Sequence, residues 1–135
     1  MRAIFRYLIV PVLTLCGLVL AAGATATAHH SFAPFDLTME KTITGTVSKF
    51  EWTNPHSWIW VDVPNEKGGV DNWAVEGMSP NYLARRGWSK TTVKVGDKLS
   101  IVVHPMKDGS SAGTFIRATT ADGKPLAQTG LSTEP

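Results

Sequence analysis

The chain is short, close to electrical neutrality and poor in cysteine. It has 135 residues, with 13 Lys and Arg against 11 Asp and Glu, and one cysteine. This length suits one small domain, a single cysteine excludes a disulfide framework within the chain, and the charge balance argues against a nucleic-acid partner.

Residues 1–28 have the pattern of a secretory signal peptide. Arg2 and Arg6 precede an apolar run over residues 8–23, and small residues follow that run. We expect cleavage after Ala26 or Ala28, which makes the protein periplasmic or secreted. Contact with a membrane is then expected only through the signal peptide, before cleavage.

Two other fates of this segment fit the sequence less well. An uncleaved anchor needs roughly 20 apolar residues, and here Pro11 interrupts the run and small residues end it. Lipidation at Cys16 is disfavoured because Leu15 is too large for the position before a lipobox cysteine. Removal of residues 1–28 takes away the cysteine and leaves 11 basic and 11 acidic residues, a net charge of zero.

Residues 29–40 predict an extended N-terminal arm. This segment has no sustained period and contains Pro34, and we expect Phe32 and Phe35 to pin it to the domain. Regular structure begins after it, because residues 42–50 alternate with Ile43 and Gly45 on one face. The glycine predicts a bulge or a sharp bend in this first strand.

An Asn-Pro turn at residues 54–55 separates the first strand from a second one at 57–63. Its aliphatic residues, Ile59 and Val61 among them, alternate with Trp58 and Trp60. We expect the aliphatic face to fill the core and the two tryptophans to lie on the other face. A third strand follows at residues 70–76.

The next segment predicts a short helix. Ser79 is a favourable N-cap, Pro80 suits the first helical position, and Gly87 marks the end. Arg85 and Arg86 are expected in the last turn, where positive charge suits the helix dipole.

Two more strands are predicted at residues 98–105 and 114–120, and a flexible tail at 127–135. Five strands with one short helix between strands three and four, over residues 41–126, predict an all-β fold: a small five-stranded OB-like barrel.

The motifs AHHSF, TGTV, WTNPH, SPNYLARRGW and GD resemble those of a domain-of-unknown-function family. Its members are short exported bacterial proteins with a T-N-P-H signature, which residues 53–56 match, as His29 and His30 match the start motif. The resemblance covers residues 28–126 and implies export and one all-β domain. It assigns no activity and no catalytic residue, and Trp58 and Trp60 are not part of the signature.

The histidines suggest a metal site. OB-like barrels commonly bind ligands between the loop joining strands one and two and the loop joining strands four and five. His56 lies in the first loop and His104 at the edge of the second, so we expect them to approach each other. The spacing of these residues excludes a zinc finger, and a histidine after proline is also a common structural turn residue.

The expected N-terminus strengthens a copper hypothesis. Cleavage after Ala28 gives His29 a free amine beside its imidazole, as in a histidine brace, whereas cleavage after Ala26 gives a square-planar site with the imidazole at the third residue. We therefore predict copper carriage or buffering, with His29, His56 or His104 as ligands. His30 is auxiliary in this hypothesis, and Asn54 orients His56.

The tryptophans provide an alternative without metal. Trp52, Trp58, Trp60 and Trp73 could form an aromatic face for a small ligand, a glycan or a partner protein. An enzyme is less expected. Glu51, Asp62 or Glu76 near a histidine could serve acid-base chemistry, but the sequence has no nucleophile elbow, phosphate loop or paired-carboxylate signature.

Overall fold

The structure is a computed structural model, and it describes residues 32–126. The predicted signal peptide, His29, His30 and the predicted tail lie outside these residues. Within residues 32–126, the structure has no helix with the length and apolar character needed to cross a membrane.

Five strands form a closed mixed barrel, with one short helix between the third and fourth strands. The elements are β1 (Lys41–Glu51), β2 (Trp58–Pro64), β3 (Val70–Glu76), α1 (Pro80–Ala84), β4 (Lys98–Pro105) and β5 (Ala112–Thr120). The strands are ordered β1-β2-β3-β5-β4, and the only parallel pairing among them, between β3 and β5, closes the barrel. The predicted fold class is confirmed.

Alternation along the strands decides which side chains fill the barrel. On β2, Ile59 and Val61 are buried, whereas Trp58 and Trp60 are half-buried on the outer face, as predicted. The buried residues of the core cluster are Ile43, Val47, Ile59, Val61, Trp73, Val75, Leu83, Trp88, Val93, Leu99, Ile101, Val103, Phe115 and Ala118. The core thus combines aliphatic side chains with aromatic rings from β3, from β5 and from the segment after α1.

Gly45 does not mark the bulge of β1. The register irregularity of β1 against β2 lies between Val47 and Lys49, not at the glycine. A Cβ at position 45 would lie 2.3 Å from the carbonyl oxygen of Asp62 and 2.9 Å from a methyl group of Val61. The glycine therefore permits a close approach of β1 to β2.

The helix begins as predicted but ends earlier. The Ser79 hydroxyl accepts a hydrogen bond from Tyr82 N at 3.4 Å. Arg85 is the C-cap, so the two arginines lie beyond the last turn instead of within it. Arg86 packs its guanidinium carbon 3.6 Å from the ring centroid of Tyr82, and Gly87 follows with a φ of 85°.

The N-terminal arm is attached through one phenylalanine. Phe35 is buried and pairs with Met106, while the amide of Asp36 donates to the carbonyl of Pro105 at 2.8 Å. Phe32 was expected to pin the arm as well, but it is 44% exposed. Backbone pairing next to β4, together with one buried ring, holds this segment.

Candidate functional site

The T-N-P-H turn joins β1 to β2 and presents His56. The Asn54–Pro55 peptide bond is cis. The hydroxyl of Thr53 donates to the carbonyl of His56 at 3.3 Å, which closes the turn, and the side chain of Asn54 is exposed. Thr53 thus supplies a hydrogen bond to the backbone of His56.

The next residue, Ser57, fastens this turn to the segment after β3. Ser57 is 2% exposed, and both its amide, at 3.1 Å, and its hydroxyl, at 2.8 Å, donate to the carbonyl of Met78. The amide of Gly77 donates back to the carbonyl of Ser57 at 2.8 Å. These bonds give the start of β2 a fixed position beside the end of β3.

A histidine–carboxylate contact results from this arrangement. Nδ1 of His56 contacts Oε1 of Glu76, and both side chains are partly buried. Glu76 lies directly opposite Trp58 in the β2–β3 register. The contact therefore lies at one end of the pair of outer tryptophans.

Trp58 and Trp60 lie side by side on the outer face. Their ring centroids are 5.9 Å apart and their planes differ by 30°. The strand register places Glu51 and Glu76 on either side of Trp58 and places Lys49 opposite Trp60. We call Trp58, Trp60 and these three charged neighbours the tryptophan strip.

Lys49 already occupies part of this surface. Its ammonium nitrogen lies 4.7 Å from the ring centroid of Trp60 and forms an ion pair with Oε1 of Glu51. The negative face of an indole ring attracts cations, so this contact is a cation–π interaction. The strip thus combines two aromatic rings with carboxylates on both sides of one of them.

His104 has different partners. Its Nδ1 lies 2.8 Å from the carbonyl oxygen of Met39 on the arm. His104 pairs with Thr114, which in turn pairs with Glu76, the partner of His56. His56 thus contacts the carboxylate of Glu76, whereas His104 contacts the carbonyl of Met39, and Thr114 lies between His104 and Glu76 in the strand register. No set of three or more His, Cys, Asp or Glu side chains that could hold a metal ion occurs within residues 32–126.

Carboxylates on the arm side of the barrel have lowered pKa values. Hydrogen bonds from the hydroxyl and amide of Thr38 lower the pKa of Asp36. The pKa of Glu40 is lowered mainly by its hydrogen bond from Arg117, whose Nη2 lies 2.9 Å from Oε2. Glu40 is exposed and Asp36 is only partly buried, so both carboxylates remain in contact with solvent.

The other predicted aromatic residues contribute mainly to packing. Trp73 is buried in the core, with the ammonium of Lys41 4.7 Å from its ring centroid. Trp52 is partly buried and packs against the core and Phe50, with ring centroids 6.0 Å apart.

The sequence interpretation missed Lys49. Its spacing of two from Glu51 on β1 indicates that these two side chains share a face of the strand.

The comparisons with known proteins give one match. A family model described as a family of unknown function (DUF6152) matches residues 17–117 of the chain. Searches of the curated proteins and of the solved structures gave no match.

Proposed function

The chain belongs to the DUF6152 family of unknown function, and from that premise we propose that it is an exported binding module whose site is the tryptophan strip. The ligand is a small molecule that lays an apolar ring or branched group on Trp58 and Trp60. Its polar groups reach Glu51 and Glu76. The signal-peptide pattern of residues 1–28 supports the export part of this proposal.

The proposal depends on one observation: Trp58 and Trp60 lie on the outer face of the barrel and not in its core. The barrel interior is filled by other residues, including Trp73 and Trp88, which are 6% and 4% exposed. Trp58 and Trp60 instead remain half-buried on the outer face. Adjacent large aromatic side chains at a surface are typical of ligand and partner sites, because one end is apolar and the other is wet.

The position and rigidity of the strip also suit binding. Oligosaccharides and oligonucleotides bind OB barrels on the face formed by the second and third strands. Here Trp58 and Trp60 lie on β2, and Ser57 fixes the start of that strand through two hydrogen bonds to Met78. A fixed aromatic surface loses little conformational entropy when a ligand binds.

The test is a titration followed by the indole N–H signals in a ¹⁵N-labelled protein. The probes are methyl β-D-glucoside, cyclohexanol, indole and choline, and Trp→Phe variants assign the signals. At least one probe is expected to shift the signals of Trp58 and Trp60 and leave those of Trp73 and Trp88 in place. Saturating probe concentrations that move none of the strip signals would contradict the proposal.

Copper carriage or buffering is a second candidate, favoured by the orientation of the histidines. Nδ1 of His56 contacts a carboxylate oxygen and Nδ1 of His104 lies near a carbonyl oxygen. Metal-binding histidines commonly donate one ring N–H to such an oxygen, which directs the lone pair of Nε2 toward the metal. The other donors would be the terminal amine and His29, with His30 auxiliary, outside the described residues.

Copper(II) titration with an EPR readout tests this second candidate on protein with its native terminus. We expect a tetragonal EPR signal with nitrogen ligands. The affinity of the protein for copper(II) should fall by orders of magnitude in His56→Ala or His104→Ala. A signal that is the same in both variants would assign copper binding to the terminus alone and would reject the barrel histidines as ligands.

A further inference from the structure

We propose that the tryptophan strip binds an organic ammonium ion, with a trimethylammonium group as its preferred form. This inference rests on the proposed function, because it names the ligand class of the same site. The cation lies on the ring of Trp58, between Glu51 and Glu76, and extends onto Trp60 when the side chain of Lys49 moves away.

The strip already includes one cation beside an indole ring. The Lys49 ammonium lies 4.7 Å from the centroid of Trp60. Tryptophan is the best aromatic partner for a cation, and cation–π contacts are typical of sites that recognise quaternary ammonium ligands. Trp58 is the same kind of ring, 5.9 Å away, on the same face.

The carboxylates around Trp58 make this face complementary in charge to a cation. Glu51 and Glu76 lie directly opposite Trp58 on its two neighbouring strands. Asp62 adds a third carboxylate on the outer face of β2, where it accepts a hydrogen bond from the side-chain Nδ2 of Asn72 at 2.7 Å. Lys49 and His56 are the basic groups facing these carboxylates in the contacts above. Such a face attracts cations and repels anions, and it gives a neutral ligand no electrostatic gain.

The preference for a quaternary ammonium group follows from differences in hydration. A primary ammonium such as that of Lys49 is compact and strongly hydrated. A trimethylammonium group carries the same charge behind apolar methyl groups, so it loses less hydration when it contacts an indole and also covers apolar ring surface. It can therefore displace the lysine, which acts as an internal competitor for Trp60 and Glu51.

This competition gives an unusual expectation for one substitution. Lys49→Met keeps an unbranched side chain but removes the ammonium group. Removal of the competitor should strengthen binding of a quaternary ammonium ligand by roughly two- to fivefold, the equivalent of one cation–π contact at an exposed site. Loss of a flanking carboxylate in Glu51→Gln or Glu76→Gln should weaken binding severalfold.

The experiment compares choline with 3,3-dimethyl-1-butanol, which has the same shape but no charge. Both are titrated by following the Trp58 and Trp60 indole signals at constant ionic strength, in the parent protein and in the three variants. Lys67→Met and Glu66→Gln, in the exposed turn between β2 and β3, are matched controls. Glu51→Gln provides a second carboxylate test, because Glu76→Gln also removes the partner of His56.

We expect choline to bind at least about tenfold more tightly than the neutral alcohol, as for a cation–π contact between desolvated groups. We also expect Lys49→Met to strengthen this binding and the two control variants to leave it unchanged. Equal affinities for the two probes, or a Lys49→Met variant that binds choline no better than the parent, would overturn the ammonium proposal. If only the neutral probe binds at the strip, the proposed binding module is supported and the ammonium ligand is rejected. If no probe shifts the strip signals, both proposals are rejected.

Discussion

The inner and outer tryptophans of the barrel come from neighbouring strands but serve different environments. Trp73 on β3 lies opposite Val61 and points into the core, whereas Trp60 on β2 lies opposite Ala74 and stays on the outer face. A shift of one position along a strand moves a side chain to the other face. The same residue type is therefore buried in the core at one position and half-buried on the outer face at another.

The largest effect is expected for an inner ring. Trp88 is 4% exposed and packs edge-on against Phe115, with ring centroids 5.5 Å apart. Trp88→Ala should lower the free energy of unfolding by about 3–5 kcal/mol, because it removes a large buried side chain and leaves a cavity. Urea unfolding followed by circular dichroism measures this loss.

Trp88→Phe keeps an aromatic ring and serves if the alanine variant does not fold. The matched outer substitution, Trp60→Ala, should cost only about 1 kcal/mol or less, as for a cross-strand pair on a solvated face. Equal losses at positions 88 and 60 would remove the distinction between inner and outer rings.

An intermediate effect on stability is expected at Ser57, which is buried and directly precedes Trp58. Ser57→Ala removes the hydroxyl hydrogen bond to Met78 while the amide bond to the same carbonyl remains. The free energy of unfolding should fall by about 1 kcal/mol. Ser110→Ala, at an exposed turn, is the control: it removes a hydroxyl that hydrogen-bonds the surface carboxylate of Asp108, so it should cost less stability and leave the strip indole signals in place.

The smallest effect is expected at the surface carboxylate Glu40. The hydrogen bond from Arg117 lowers the pKa of this group in the folded protein, so the unfolded chain takes up its proton at higher pH. The resulting stability is present above the ordinary pKa and is lost as pH falls through the lowered folded value. Arg117→Met should therefore reduce the loss of stability below about pH 4.5.

Urea midpoints measured from neutral to acidic pH check this expectation against the parent. The strip should be unaffected, because Arg117 and Glu40 lie on β5 and the arm. An Arg117→Met protein whose stability falls with acid as steeply as the parent's would show that this pair contributes nothing to the acid dependence.

The sequence predicted the strands and their faces because alternation is a local property. The buried positions of Ile59 and Val61 and the outer positions of Trp58 and Trp60 follow from a period of two. The helix start followed from the cap at Ser79. These features need no knowledge of which strands are neighbours.

The contacts of the candidate site depend on strand register, which the sequence does not encode locally. The pairing of Trp58 with Glu76 brings the carboxylate to His56, and pairing with β1 brings Lys49 to Trp60. Phe32 likewise could not be distinguished from Phe35, since their burial depends on where the arm contacts β4 and the following turn. The copper ligand set and the signal peptide remain predictions.

The double variant Trp58→Ala/Trp60→Ala tests whether the two outer tryptophans serve ligand binding and are not required for folding. Its ¹H–¹⁵N spectrum is recorded alone and with the probe that shifts the strip indole signals of the parent. We expect a dispersed spectrum with the Trp73 and Trp88 signals near their parent positions, and no response of the β1–β3 amides to the probe. A spectrum without dispersion would show that the fold requires the two tryptophans. A probe response equal to that of the parent would show that the ligand does not bind to them.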